Sequence, residues 1–284
     1  MEKIGLVLEG GGMRGAYTAG ALAWLNDNHM TFDYNVGISS GAVYLCCYLM
    51  GDKHTPYNMS VHYAAEKETV GIRALLKEGH YVAYRRIFEE DLKKREHMTI
   101  KPLLEEKPNV EVGAYVLEHG RTEFFGVDDM DEDMELLLGT CALPIASAVV
   151  EYKGMHLLDG GITRMIPIER AQEQGCTKYF VITTKPADFV RKPANPVIKF
   201  LMKHVYRQYP QVAKDYAVRH LNYYHQVDII DKLVEEGKAV HVRPSRDIQV
   251  SRFHGDEVNC QKLYDLGYQD MEDRKEEIKA FLKK

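Results

Sequence analysis

Residues 35–42 read Asn35-Val36-Gly37-Ile38-Ser39-Ser40-Gly41-Ala42, and the architecture of the chain is organised around them. The central five residues match G-x-S-x-G, the pattern of a nucleophile elbow. A mostly apolar run from Tyr34 to Ile38 precedes the turn, and a long apolar run from Ala42 to Met50 follows it. This order predicts a strand, a sharp turn and a helix, with the Ser39 hydroxyl lifted off the strand end. A glycine-bounded turn with a capping serine is the structural alternative.

A second strand–turn–helix unit is predicted at the start of the chain. The apolar run Ile4 to Leu8 leads into Gly10-Gly11-Gly12-Met13-Arg14-Gly15, and Ala16 to Asn28 carries Ala, Leu and Trp at helical spacing. Successive N–H groups in such a turn can converge on an anion. Adjacent parallel strands place such turns at one edge of a sheet, where open α/β sheets bind ligands.

The same glycines allow a competing interpretation, a dinucleotide-binding loop. Gly10, Gly12 and Gly15 fit G-x-G-x-x-G, which requires an acid about 20 residues further on, at the end of the second strand. Asp33 has roughly that spacing, but it precedes the second apolar run. Ser39 occupies the strand end instead, so NAD or FAD binding is the weaker hypothesis.

Composition limits the classes of protein to consider. The chain has 284 residues, 45 % hydrophobic and 28 % charged, which indicates an ordinary globular protein with a substantial core. The net charge of −5 gives no sign of nucleic-acid binding. Five cysteines without C-x-x-C spacing argue against a disulfide framework or a zinc site. With no visible signal peptide or apolar run of about 20 residues, a cytoplasmic location is expected.

The middle of the chain predicts further helices and two hairpins. Residues 52–109 look mostly helical, with Leu75 and Leu76 facing the core. Val110 to Leu117 and Thr122 to Val127 form the first predicted hairpin, and the second hairpin ends in Asp159-Gly160-Gly161. An acid at a strand end before two glycines is well placed to aim a carboxylate at a neighbouring strand, although D-G is also a common turn.

An acidic run at residues 128–135 suggests a calcium loop. The EF-hand pattern fails, because it lacks the sixth-position glycine and the final glutamate. The run therefore predicts the start of a helix that ends near Leu138.

Strands that often alternate with helices predict an α/β fold with a largely parallel sheet. After Pro186 the pattern becomes mainly helical, so the chain is divided into a domain at 1–185 and a helical extension at 186–284 packed on the same body. Between Lys185 and Gln226 the sequence contains eight Lys and Arg residues and two Asp residues, which gives a local charge of +6. Aromatic residues lie between these charged positions. An anionic lipid surface is one partner for this segment; an ordinary helical hairpin with basic outer faces is favoured.

Serine chemistry needs a base, oxyanion donors and an acyl pocket. Ser39 is the serine on an elbow, and the Gly10–Gly12 turn supplies candidate donors. Asp159 is the best-placed carboxylate for the base. An ordinary α/β-hydrolase fits poorly, because its elbow follows several strands and a histidine comes last; His254 is the possible triad partner.

The three motifs, in this order, resemble the patatin-like phospholipase family over about Ile4 to Phe180. The resemblance implies a three-layer α/β/α sandwich and a Ser–Asp dyad without histidine. It implies Ser39 as nucleophile on an elbow bounded by Gly37 and Gly41, and Asp159 as base. It also implies an oxyanion hole at Gly10, Gly11 and Gly12, with Arg14 as its organising cation.

The family cleaves acyl esters of lipids without a catalytic metal, so a lipid or acyl ester is the expected partner and no cofactor or metal is expected. A peripheral contact at the inner membrane surface accompanies this hypothesis, and transfer of the acyl group to an alcohol stays open. One departure concerns the acyl pocket, since Pro144 is followed by Ile145 to Val150 and not by a proline-rich aromatic stretch. A catalytically silent membrane-surface protein is the remaining alternative.

Overall fold

The computed structural model describes residues 2–283. Its strands are β1 (Ile4–Leu8), β2 (Tyr34–Ile38), β3 (Val110–Val116), β4 (Arg121–Gly126), β5 (Val150–Tyr152), β6 (Met155–Asp159), β7 (Lys178–Ile182) and β8 (Ala239–Val242). Its helices are α1 (Gly15–Asp27), α2 (Ser40–Leu49), α3 (His54–Val61), α4 (Ile72–Glu78), α5 (Tyr84–Arg86), α6 (Lys101–Glu106), α7 (Glu135–Cys141), α8 (Ile168–Glu173), α9 (Pro196–Val205), α10 (Pro210–Glu235), α11 (Glu257–Asp273) and α12 (Lys275–Leu282). A π-helix, Ile87–Arg95, continues α5.

The central strands form one mostly parallel sheet. β1 pairs in parallel with β2 on one side and β7 on the other, and β8 extends the sheet beyond β7. β3 continues it in parallel beyond β2, whereas β4 and β6 run antiparallel to β3. Both glycine turns therefore follow neighbouring parallel strands and lie at the same edge of the sheet.

β2 and β6 share one edge of β3 and meet end to end. β4 occupies the other edge of β3 across both segments. Ile38 at the end of β2 is in register with Gly113, and Asp159 at the end of β6 is in register with Ala114. Since Gly113 and Ala114 are consecutive, the two strands bring Ser39 and Asp159 toward one another.

Two cores cover the two faces of the sheet. Along β1, Leu6 and Leu8 belong to one buried cluster and Val7 to the other, as expected when alternate side chains point to opposite faces. Helices α1, α2, α7 and α11 contribute to the first cluster, α8 contributes to the second, and α10 contributes to both. The predicted α/β fold with a mostly parallel sheet between helical layers is confirmed.

Two predictions for the helices need correction. Leu75 and Leu76 on α4 do not face the core, because their exposed fractions are 46 % and 81 %. The acidic run does not itself form the helix; α7 begins only at Glu135, where Asp131 caps it by accepting bonds from the Glu135 and Leu136 N–H groups. Within residues 2–283, no cluster of three or more His, Cys, Asp or Glu is arranged to hold a metal ion.

The C-terminal part of the chain is built into this body. β8 pairs with β7 inside the sheet, and α11 packs against α1 at two glycines. A Cβ at Gly20 would lie 2.0 Å from Tyr264 O, and one at Gly267 would lie 2.1 Å from Tyr17 O. The boundary at 185/186 stays a prediction. No helix in residues 2–283 combines the length and apolarity needed to cross a membrane.

Candidate active site

Ser39 stands on a strained turn between β2 and α2. Its backbone has φ 56° and ψ −133°, a conformation that a side-chain-bearing residue rarely adopts. The turn is possible because glycines surround it. A Cβ at Gly37 would lie 2.9 Å from the backbone of Ala42, and one at Gly41 would lie 2.6 Å from Glu9 O. The strand, sharp turn and helix that the sequence predicts around Ser39 are therefore present.

A threonine on α7 holds this turn in place. The Ser39 N–H donates to Thr140 Oγ1 at 3.0 Å, and the same hydroxyl donates to Gly113 O. Thr140 is fully buried. It thereby ties the elbow to β3 at the point where β2 ends. In the sequence, the run of small residues at 139–144 is the one indication that this segment lies close to the site.

Ser39 and Asp159 line one small cavity, here called the polar cavity, of about 290 Å³ including its part open to solvent. Its other lining residues are Gly10, Gly11, Gly12, Ile38, Tyr84, Leu143, Gly161, Met165, Arg219 and Arg252. Asp159 Oδ1 accepts a 2.7 Å bond from the Gly161 N–H. The hydrogen bonds among residues 2–283 do not include one between Ser39 Oγ and Asp159.

The Ser39 hydroxyl lies against the thiol of Cys141. Burial raises the pKa of Cys141, the Asp159 charge raises it further, and a hydrogen bond with Ser39 opposes both effects. All five cysteines are free and buried. Cys141 is thus held as a neutral thiol beside the serine.

The glycine loop after β1 closes over Ser39. A Cβ at Gly10 would lie 2.9 Å from Ser39 Cβ, so only glycine allows this approach. The Gly11 N–H donates to Ser40 Oγ at 3.0 Å, and the Gly10 N–H makes a long 3.4 Å bond to Met165 O. Gly12 has a φ of +57°. The three glycines therefore line the polar cavity together with Ser39.

Arg14 points to a different neighbour, the segment of residues 250–254 before α11. Its Nε donates to Val250 O at 3.0 Å, and its guanidinium lies 5.4 Å from the Phe189 ring. Met13 N–H donates to Arg252 O at 3.3 Å. Arg14 is not among the described residues that line the polar cavity, so it fastens this segment onto the glycine loop.

A larger apolar cavity adjoins the polar one and shares Gly12, Tyr84 and Arg252 with it. Its volume is about 700 Å³, again including space open to solvent. Apolar side chains from α2, α3 and the π-helix line most of it, including Val43, Met59, Phe88 and Leu92.

The other sequence candidates lie elsewhere. His254 is exposed, its N–H bonds to Ser251 Oγ, and no histidine in the described part of the chain lines the polar cavity. Asp33 accepts a 2.9 Å bond from the Ile4 N–H, at the opposite edge of the sheet from the glycine loop. A dinucleotide fingerprint needs that acid at the same edge as the loop.

Arg219 and Arg252 are cavity residues that sequence reasoning missed. Arg219 belongs to the basic segment between Lys185 and Gln226, for which basic outer faces were favoured, yet it is buried, with 9 % of its surface exposed. The basic composition of the segment was the available signal. It did not reveal which cation turns inward.

Comparisons with known families cover most of the chain. A family described as patatin-like phospholipase matches residues 6–171, more than half of the chain. A domain of unknown function (DUF6363) matches residues 209–283, the part that supplies Arg219 and Arg252.

Two known proteins are similar in sequence. The uncharacterized protein YjjU of Escherichia coli (strain K12) is 23 % identical over 205 residues, which are 67 % of this chain and 54 % of that protein. The probable lipid hydrolase 463L of Invertebrate iridescent virus 6 is 27 % identical over 183 residues, which are 58 % of this chain and 62 % of that protein. The matched region is less than two thirds of either relative.

Among solved structures, the chain is similar to VipD from Legionella pneumophila. The TM-score is 0.49 at 12 % identity, and the match covers 96 % of this chain and 66 % of VipD.

Proposed function

Because the chain belongs to the patatin-like phospholipase family, we propose that it is a serine lipid acyl hydrolase acting through Ser39 and Asp159. The observation that carries the proposal is the end-to-end meeting of β2 and β6 on β3. It supports a nucleophile on a strained elbow and a carboxylate in one cavity, beside a glycine loop.

In the proposed reaction, Asp159 accepts the proton of Ser39 as Ser39 Oγ attacks the ester carbonyl carbon. The bond from Gly161 N–H to Asp159 Oδ1 leaves Oδ2 for this step. The step requires the Ser39 hydroxyl to turn from the Cys141 thiol to Asp159. Catalytic hydrogen bonds often tighten only when substrate is bound.

The developing oxyanion would be stabilised by the Gly12 N–H, and by the Gly10 and Gly11 N–H groups once they turn away from Met165 O and Ser40 Oγ, an effect worth several kcal/mol in comparable sites. Collapse of the tetrahedral intermediate expels the alcohol, which takes its proton from Asp159. A water molecule then attacks the acyl-enzyme and gives its proton to Asp159. Release of the carboxylic acid returns that proton to Ser39. The apolar cavity supports this scheme, because it offers the acyl chain an apolar lining next to the reacting centre.

Labelling with a fluorophosphonate probe, followed by peptide mass mapping, tests the nucleophile. We expect Ser39 to be labelled in the wild type. Ser39→Ala should abolish both labelling and hydrolysis of p-nitrophenyl esters and phospholipids. Asp159→Asn should abolish turnover while the circular dichroism spectrum is retained. Ser245→Ala and Asp188→Asn, at exposed positions, serve as matched controls, and full activity in either site variant refutes the dyad.

Contact with a lipid surface is proposed for α4. Its exposed apolar residues Ile72, Leu75 and Leu76 lie at i, i+3 and i+4, so they share one face. The helix begins two residues after Val70, which lines the apolar cavity. The exposed cations Lys67 and Lys77 lie near this face and suit an anionic membrane surface, whereas Arg73 is paired with Glu68 at 3.6 Å.

Co-sedimentation with vesicles tests this contact. We expect the wild type to bind vesicles that contain anionic phospholipid more strongly than zwitterionic ones. Ile72→Ser/Leu76→Ser should reduce binding several-fold, whereas Leu221→Ser, an exposed leucine on α10, should not. Equal binding by the α4 variant and the wild type contradicts the proposal.

A further inference from the structure

Two arginines from the C-terminal part of the chain line the polar cavity beside Ser39. Arg219 lies on α10, and Arg252 lies in the segment between β8 and α11. Both are outside residues 6–171, which match the hydrolase family, and inside residues 209–283, which match the domain of unknown function. The catalytic scheme proposed above uses neither of them.

The guanidinium of Arg219 is buried with part of its hydrogen-bonding capacity unused. Its Nη2 donates to Gly161 O at 3.0 Å, and its Cζ lies 4.8 Å from the centroid of the Tyr216 ring. Its Nε is buried and has no partner. Leaving a buried charged donor unpaired is costly, so the arrangement indicates an acceptor that enters the cavity.

Positive charge is crowded around this position. Burial lowers the pKa of Arg219, and the nearby Arg252 lowers it further. Burial also lowers the pKa of Arg191 to about 10, with Arg219 as the next cause. Arg191 Nε is a second buried donor without a partner. Arg219 and Arg252, which line the cavity, are therefore repelled by each other and by Arg191.

Two carboxylates act on this cluster from a distance, Glu9 on Arg191 and Asp159 on Arg219. Within residues 2–283, no Asp or Glu forms an ion pair with Arg219, Arg252 or Arg191, whereas Glu9 is paired with the buried Lys185. Asp159 attracts Arg219, but its Oδ1 is bonded to Gly161. An anion from outside the chain would relieve both the repulsion and the unpaired donors.

We propose that Arg219 and Arg252 form a subsite for a phosphate group, which holds a phosphorylated acyl ester with its carbonyl carbon at Ser39. This inference rests on the proposed hydrolase function and deepens it. Guanidinium forks match phosphate oxygens and form two charge-assisted hydrogen bonds at once. The apolar cavity that adjoins the polar cavity receives the acyl chain. The C-terminal part of the protein thereby contributes to substrate recognition.

A matched pair of esters tests the subsite. Dihexanoylglycerol phosphate and dihexanoylglycerol carry the same ester bonds and differ in the phosphate. For Arg252→Gln and Arg219→Gln, the ratio of kcat/KM for the phosphorylated ester to kcat/KM for the neutral ester should fall about 10- to 100-fold, the range for a charge-assisted hydrogen bond. Arg246→Gln, at an exposed arginine nearby, should keep the wild-type ratio. An unchanged ratio in Arg252→Gln overturns the proposal even when Arg219→Gln fails to fold.

Inorganic phosphate distinguishes a substrate head group from free phosphate as the natural anion. In the wild type it should inhibit hydrolysis of dihexanoylglycerol competitively, and Arg252→Gln should weaken the inhibition. Inhibition that depends on Arg252 without any preference for the phosphorylated ester overturns head-group recognition and assigns the site to free phosphate. Calorimetric titration with a diether analogue of the phosphorylated ester needs no turnover. Binding that requires Arg252 supports the subsite even when no ester is hydrolysed, and absence of binding overturns it.

Discussion

Replacing Thr140 by valine tests the argument that a single buried hydroxyl holds the nucleophile turn. The substitution keeps the side-chain shape and removes the acceptor of the Ser39 N–H and a donor to Gly113 O. Leaving the buried N–H unpaired costs about 1–3 kcal/mol, and the lost bond to Gly113 contributes about 1 kcal/mol. The free energy of unfolding should therefore fall by about 2–4 kcal/mol. A domain of typical stability stays folded after such a loss.

Activity should fall as well, because the turn at Ser39 is strained by about 1–3 kcal/mol and depends on its surroundings to stay in place. We expect kcat to fall about 10-fold or more, since small displacements of a reacting group are costly. Urea unfolding and hydrolysis of a p-nitrophenyl ester measure the two effects. Thr140→Ser keeps the hydroxyl and is the control, with a loss of about 1 kcal/mol for the missing methyl group. A valine variant as stable and active as the serine variant would refute the reasoning.

Three further substitutions probe the surroundings of the site. Gly41→Ala should destabilise the protein by about 1–3 kcal/mol or more, because its Cβ would lie 2.6 Å from Glu9 O, whereas Gly126→Ala, with its nearest neighbour at 4.0 Å, should change stability far less in the same urea titration. Glu9→Gln leaves the buried Lys185 without its ion-pair partner and should lower the free energy of unfolding by about 3–5 kcal/mol. Adding Lys185→Met should recover part of that loss. Strictly additive effects in the double variant would contradict the pairing. Burial and then the charge of Arg243 lower the pKa of His241 to about 3 in the folded state. As the pH falls below about 6.5, this histidine is therefore protonated in the unfolded state but stays neutral in the folded state. Stability should therefore decline with falling pH by up to about 1.4 kcal/mol per unit from this group, and His241→Phe should flatten that part of the profile measured by urea unfolding between pH 7 and 4.5.

The parts of the fold that were predictable from sequence are those specified by local patterns. β1 and β2 have the predicted bounds, because each is a short apolar run that ends in a glycine turn. The elbow conformation at Ser39 follows from Gly37 and Gly41 for the same local reason. The surface position of Leu76 did not follow, because an apolar helical pattern fixes a face of the helix but not what covers it.

The juxtaposition of Ser39 and Asp159 depends on a register that no local pattern contains. It arises because Gly113 and Ala114 of β3 pair with the ends of two different strands. Gly113 also gives room for this meeting, since a Cβ there would lie 2.3 Å from Ile38 Cδ1. The acid could be proposed from its place before two glycines, but its neighbour is set by long-range pairing.

The position of Arg252 shows why the C-terminal part is inseparable from the site. The segment that carries it is anchored at one end by β8, which pairs with β7, and at the other by α11, which packs on α1 through Gly20 and Gly267. Between these anchors the backbone bonds to Met13 and to the Arg14 side chain. The glycine loop that faces Ser39 and the arginine that faces the same cavity are thereby fixed relative to each other. The polar cavity is therefore built jointly by the part of the chain that carries Ser39 and by the C-terminal part.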